Sequence, residues 1–430
     1  MANSWQSDYA HLKGFVEKQP GIEISPESVV LPEDIRAEFY RLFDMVQISF
    51  IKGHFSEELA KGYLLSRHWL EVQRDVAKTL NLEAITLPAG SSWFFNDPLD
   101  GLMRGLFDTL FNLLKNKITP DVFEQTASKI VKDDFTKYFR EGYQRWAILA
   151  LIKLLLPDKL YSVPTQDFHE PSEAEGDPVP GSYIKEVPEA TETNLISFEH
   201  DLMCSFLAPK IIIHSTKLDC FVSFLPDFYE PRWKARLLSS KQEWYRIADI
   251  KKEFGINKLW PDLVINMADD KADLVLAADY FQISRPDMIV DCREDGDWFQ
   301  REGLGILKRH YDVLKPRLGS FVICREAVPE AALKELEAGK AVAAAGAEAQ
   351  QVQNPDSTEQ ELKSAQALEA SGTAVGNQAN IHFLTSDFDM SSLGEIIDAM
   401  QASRQDMLSK STAVEGVSGE DGKDTAQKGA

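Results

Sequence analysis

The spacing of apolar side chains changes near residue 165, and that change constrains the fold more than any other feature of the chain. Over residues 30–165 apolar positions recur every three or four residues, as on one face of a helix. In "LPEDIRAEFYRLFDMVQISF", Ile35, Phe39, Leu42 and Val46 form such a stripe behind Pro32, Glu33 and Asp34, which suit a helix N-terminus. "SEELAKGYLLSRHWLEVQRDVAKTLN" opens at Ser56, a good N-cap, and "NDPLDGLMRGLFDTLFNLL" opens at Asn96 or Asp97 with Pro98 in its first turn. On the latter, Gly101 and Gly105 lie four apart and leave a flat strip for a neighbouring helix.

Beyond residue 195 the apolar runs become short and β-branched, bounded by Pro, Asp, Gly and Ser. "PKIIIHS", "LDCFVSFLP", "PDLVINM", "ADLVLAADYF", "DMIVDCR" and "GSFVICRE" read as strands. "FEHDLMCSFLA", "EPRWKARLLSSKQEWYRIADIKKEFG" and "WFQREGLGILKRHYDVLK" read as helices between them, the last with Leu304, Leu307, Tyr311 and Leu314 on one face. The expected class is α+β multidomain, in keeping with a chain of 430 residues. An α-helical N-terminal domain (1–165) is followed by an acidic Pro/Glu-rich linker (166–195) and a mixed α/β domain (196–340). A low-complexity insertion (341–378) then precedes a strand and helix (379–410) that complete the α/β domain, and 411–430 read as a disordered tail. Ser392 and Glu395 fit a capping box at that final helix, and no internal repeat is apparent.

The formal charge of -22 suggests a protein that avoids nucleic acid, but its distribution removes that implication. More than half of the excess lies in 166–195, 341–378 and 411–430, so the parts expected to fold are close to neutral. The most apolar run, Trp146 to Leu156, is about half the length needed to span a bilayer and reads as a buried helix, with no membrane span expected. "MANSWQSDYAHLKGF" lacks the basic start and apolar core of a secretory signal. Cys204, Cys220, Cys292 and Cys324 sit in apolar surroundings with no CxxC spacing, which suggests reduced thiols and a cytoplasmic location.

Chemistry is suggested by "PDMIVDCRED", residues 286–295. The period of two places Asp291 and Arg293 on one strand face. If "ADLVLAADYF" and "DMIVDCR" form a hairpin around Arg285, Asp279 lies opposite Asp291, and the two carboxylates can share one Mg²⁺. With the following helix and strand, residues 262–325 resemble the PD-(D/E)xK nuclease superfamily. That resemblance implies Asp279 and Asp291 on a metal, with Arg293 where the family carries Lys. Two further Pro-Asp pairs, at Asp262 and Asp287, compete for the same role. The opposing interpretation is a core strand of Met288, Ile289 and Val290 ending in charges.

Arg232, Trp233, Lys234, Arg236, Trp244 and Tyr245 belong to a basic, aromatic stretch over 229–260 that is a candidate binding segment, or else a helix with an aromatic core face and a solvated basic one. Trp93, Phe94 and Phe95 line a ligand site or, more commonly, anchor a core. No P-loop, GxSxG elbow, HExxH or Gly-rich cofactor turn is present. The leading expectation is a soluble interaction or assembly protein without catalytic activity, with a protein partner and no cofactor. The alternative is a metal-dependent nuclease-like or phosphate-processing enzyme that uses Mg²⁺ and a nucleic acid.

Overall fold

The computed structural model describes residues 4–163, 189–199, 211–226, 244–246, 261–275, 282–300, 303–337 and 380–417. The chain divides into two compact units, one from Met1–Leu160 with Glu192–Leu202, the other from Tyr161–Thr191 with Met203–Ala430. The linker, the insertion and the tail expected from composition lie in large part outside the described residues.

The first unit is helical, as the three-and-four spacing requires. It holds α1 (Trp5–Lys18), α2 (Glu33–His54), α3 (Ser56–Leu80), α4 (Ala89–Asn96), α5 (Pro98–Leu114) and α6 (Pro120–Leu154). A short ladder, β1 (Glu23–Ile24) with β2 (Val29–Val30), separates α1 from α2. Another strand, β3 (Ala84–Thr86), follows α3. Helix starts follow local chemistry. The Asp97 side chain accepts the Leu99 N–H with Pro98 in the first turn, and Thr119 accepts the Val122 N–H ahead of Pro120. Ser56, expected to cap α3, is its first helical residue and makes no cap bond. Residues 142–152 of α6 are all buried, so the apolar run is an internal helix. No helix among the described residues is long and apolar enough to cross a membrane.

The strip of small residues on α5 is used. A Cβ on Gly101 would lie 2.6 Å from the Phe94 Cα, and one on Gly105 would meet Asp134 and lie 3.0 Å from Ile130. α4 therefore approaches α5 at a distance that only glycine permits, whereas at Gly105 the nearest atoms of α6 are side-chain ends.

The second unit is built on β7 (Ile211–Ser215), β8 (Cys220–Pro226), β10 (Leu263–Ala268), β12 (Met288–Arg293), β13 (Ser320–Cys324) and β14 (Ile381–Thr385), which lie in the sheet order β14-β13-β12-β10-β8-β7. The short β4 (Pro157–Ser162) and β5 (Thr191–Glu192) fall where the chain passes from one unit to the other. Between β5 and β7, β6 (Leu195–Ser197) pairs in parallel with β3 in the first unit. The β7, β8, β10 and β12 neighbours are antiparallel, and β12, β13 and β14 are parallel, which makes the sheet mixed. The crossover from β12 to β13 carries a 3-10 turn (Trp298–Gln300) and α7 (Gly303–Leu314). With α8 (Glu330–Glu337) it covers one face through Trp298, Leu304, Leu307, Val322, Cys324 and Ala332. On the opposite face His382 stacks on Phe321 and reaches Glu395 of α9 (Gly394–Val417) at 3.3 Å.

Several local expectations change. Within the segment read as one basic helix, Trp244–Arg246 form a strand, β9, paired with β11 (Gln282–Ser284). Its β-favouring aromatics won where an amphipathic pattern had suggested otherwise. Lys271–Leu274 form a 3-10 turn, with the Asp270 side chain accepting the Ala272 N–H, where "ADLVLAADYF" suggested a strand start. Ahead of α9 the cap is Asp389, which accepts the Ser391 N–H at 2.9 Å, in place of the Ser392–Glu395 box.

Gly101→Ala should destabilise the protein by about 1–3 kcal/mol, because the blocking atoms are backbone and cannot rotate away. Gly53→Ala, in α2 with open space at its Cβ, should be neutral or stabilising by up to about 1 kcal/mol. Urea unfolding of the two variants separates these outcomes.

Candidate functional site

The β10–β12 pairing begins with two copies of one short pattern, "PDLVINM" at 261–267 and "PDMIVDC" at 286–292. Each proline lacks the N–H needed for a ladder bond and so stands at the start of its strand. Each following aspartate turns its carboxylate across to the partner strand. Asp262 Oδ2 accepts the Cys292 N–H at 2.7 Å, and Asp287 Oδ2 accepts the Met267 N–H at 2.7 Å. The exchange is reciprocal. Asn266 Oδ1 accepts the Asp287 N–H at 3.3 Å, and the Asp291 carboxylate accepts the N–H of Asp262. Two antiparallel strands are thus clamped at both ends by the same device, related by a local twofold. The repeat is hard to see in the chain because only two of its seven positions, the proline and the aspartate, are identical.

Charge breaks the symmetry. At one end Asp287 pairs with Arg317 and faces the neutral Asn266. At the other, the place of Asn266 is taken by Asp291, so two carboxylates meet. Continuing the register Leu263↔Val290 by one step sets Asp262 opposite Asp291. The Arg293 guanidinium bridges them, Nη2 donating to Asp291 Oδ1 at 3.0 Å and Nη1 to Asp262 Oδ2 at 3.4 Å. His310 Nδ1 lies 3.3 Å from Asp291 Oδ2. The guanidinium also lies over Trp298, 5.6 Å from the ring centroid.

The period of two along β12 puts Ile289, Asp291 and Arg293 on the face covered by α7, beside Ser320, Val322 and Cys324 of β13. His310 comes from the buried side of α7. Sequence spacing had placed Tyr311 in that stripe, but Tyr311 is only half-buried. Nothing short of the helix's rotation about its axis distinguishes the two.

Burial is close to complete. Asp291 is 0% exposed, His310 3% and Asp262 8%. Burial pushes the Asp291 carboxyl upward. Attraction to His310 and Arg293, with hydrogen bonds from His310 and the Asp262 N–H, more than offsets this and holds it below the ordinary carboxylate range. Asp287 goes the other way, since its burial outweighs Arg317 and the Met267 N–H. The buried thiols are pushed up, Cys220 to about 11, Cys324 to about 12 and Cys292 well above the usual value, so they are poor nucleophiles.

The expected hairpin around Arg285 is not the pairing that forms. Both edges of β12 are taken, by β10 and β13, and the residue across from Asp291 is Asp262. Asp279 lies outside the described residues, as do Arg232, Trp233, Lys234 and Arg236. Trp244 and Tyr245 are placed by backbone alone, in β9. Of the aromatic trio, Phe94 and Phe95 are buried and Trp93 is exposed.

Asp262 and Asp291 are the residues here that could ligate a metal. As folded they do not fit Mg²⁺. The oxygens that a cation would take are engaged by Arg293, His310 and the Cys292 N–H, and the guanidinium already supplies the positive charge. No family model, no curated protein and no solved structure matches the chain.

Removing the bridging cation while both acids stay buried should be severe. Arg293→Met is expected to lose about 3–5 kcal/mol in chemical denaturation. Asp291→Asn should lose clearly less, because Asn266 shows that an amide oxygen accepts the equivalent backbone N–H. An equal loss would mean that charge, and not the backbone bond, is what residue 291 supplies to stability. The sign of the pH dependence follows from the depressed pKa. Stability from Asp291 is complete above the unfolded carboxylate value of about 3.9 and is lost as pH falls through the lower folded value. Asp291→Asn should flatten that acid limb in pH-dependent denaturation.

Proposed function

We propose that the chain is a non-catalytic interaction or assembly protein, and that its α/β unit holds a nuclease-like pair of carboxylates closed by an internal guanidinium. One observation carries this reading: Arg293 bridges Asp262 and Asp291 in a site where Asp291 has no solvent exposure. A hydrolytic metal site needs open coordination positions and a path for water and substrate. Here the carboxylate oxygens are spent on hydrogen bonds, and withdrawing Arg293 would strand two buried acids. The partner is a protein. A cytoplasmic setting accords with the buried, unpaired thiols of Cys220, Cys292 and Cys324.

A second reading stays open on a specific ground. With Asp262 in the place first given to Asp279, the acid pair, Arg293 and the α7 crossover follow the order of the PD-(D/E)xK resemblance more closely than the expected hairpin did. Mg²⁺ and a nucleic acid would then be its cofactor and substrate, once Arg293 had swung aside.

Incubating the full chain with labelled single- and double-stranded DNA and RNA, in Mg²⁺ or Mn²⁺, decides between them. The expected result is no cleavage above buffer. Cleavage that disappears in both Asp262→Asn and Asp291→Asn would replace the first reading with the second. Affinity capture from native lysate should retrieve a protein in stoichiometric amount, and a clean monomer would count against an assembly role.

A further inference from the structure

The helical unit carries a solvent-facing patch in which exposed aromatic rings alternate with carboxylates. Trp93 is 42% exposed, Phe107 42% and Tyr63 46%, although each follows or precedes residues packed into the core. Tyr63 contacts the N-cap of α5, Trp93 contacts a residue of α5, and Phe107 lies on α5 itself. The Tyr63 hydroxyl donates to Asp97 Oδ1 at 3.5 Å, and Asp97 caps α5. One turn on, Asp100 accepts from Arg104 Nε at 3.0 Å, and the Arg104 guanidinium lies over the Trp93 ring, 4.1 Å from its centroid. Phe107 stands on the next turn of α5, stacked with Tyr40 of α2 at 6.4 Å. Asp44, one turn beyond Tyr40 and exposed, has its carboxyl pushed up by partial burial and by the charge of Asp100.

Two features of this surface identify what it suits. Exposed large aromatics on adjoining helices are costly to leave in water and are typical of interface anchors. The carboxylates outnumber the cations, because Arg104 answers Asp100 while Asp44 feels Asp100 as a like charge. The patch also already holds one guanidinium in the way it would hold others, flat over an indole and hydrogen-bonded to a carboxylate.

We infer that this face of α2, α4 and α5, with Tyr63 of α3, is a docking surface for an arginine-rich segment of a protein partner. Guanidinium groups of the segment stack on Trp93 and Phe107 and pair with Asp44 and Asp97. This deepens the assembly reading given above and rests on it. The surface is a poor match for a nucleic acid backbone, since its charge is of the wrong sign.

The test uses the full chain and a fluorescein-labelled nona-arginine peptide, read by anisotropy at several salt concentrations. Because the whole chain is acidic, the decisive quantity is the difference between variants. Trp93→Ser with Phe107→Ser, and separately Asp44→Asn with Asp97→Asn, should each weaken binding by about five- to tenfold. Glu17→Gln with Asp121→Asn, which removes two other exposed acids of the same unit, should leave it within about twofold. Circular dichroism melting of each variant confirms that the fold is intact, as substitutions at exposed positions lead one to expect.

Equal weakening in the control pair would show diffuse attraction to an acidic chain and would overturn the docking surface. So would unchanged binding in the aromatic variant. A shift from dimer to monomer in sedimentation of Trp93→Ser with Phe107→Ser would assign the face to a second copy of the chain instead. Lysate capture separates the two levels of the argument. A partner retained equally by wild type and the aromatic variant removes this surface but keeps the assembly role, whereas no partner for wild type removes the role itself.

Discussion

The β10–β12 junction depends on aspartates that act as backbone acceptors. Where the ladder ends beside the two prolines, the Cys292 and Met267 N–H groups need an acceptor, as any buried backbone donor does. Asp262 and Asp287 fill that gap for Cys292 and Met267, so the register of the two central strands is locked from both ends. Slipping by one residue would break both clamps and send every alternate side chain to the wrong face of the sheet. The placement of α7, the parallel β13 and the face on which Asp291 lies all follow from that register.

Having met this need, the two ends diverge in a way that backbone bonding does not require. Asn266 does for Asp287 what Asp291 does for Asp262, without a charge. The extra carboxylate at 291 brings with it the buried His310 and the partly buried Arg293. Buried ion pairs seldom add net stability, because desolvation offsets most of their attraction. Such a group is more readily understood as specifying one arrangement of α7 on the sheet than as strengthening it. The opposite face, with Met288, Val290, Phe321 and Ile323, achieves its packing with apolar side chains.

The helical unit solves a different problem. Its α4 closes on α5 at Gly101, backbone against backbone, and its interior is filled by rings such as Trp69, Phe94, Phe95 and Trp146. Three consecutive aromatics, Trp93, Phe94 and Phe95, illustrate how one helical turn divides its residues. At 100° per residue two of them reach the core, and the third is carried to solvent over Arg104.

Local pattern was enough to reveal much of this. The three-and-four spacing disclosed the helical unit, the short β-branched runs disclosed most strands of the sheet, and Asp97, Pro98 and the glycines of α5 disclosed how that helix begins and packs. Such features depend on neighbours within a turn or on alternation along one strand, so they can be read from the chain itself. The pair Asp291 and Arg293 was legible for the same reason, since both lie on β12. The acid that completes their cluster was not, because Asp262 and Asp291 lie 29 positions apart in the chain and several pairings compete across that distance. His310 was likewise hidden, since spacing alone does not say how a helix is rotated on its sheet. Which carboxylates meet, and that an arginine already stands between them, is decided by strand order and helix packing, which are properties of the assembled core.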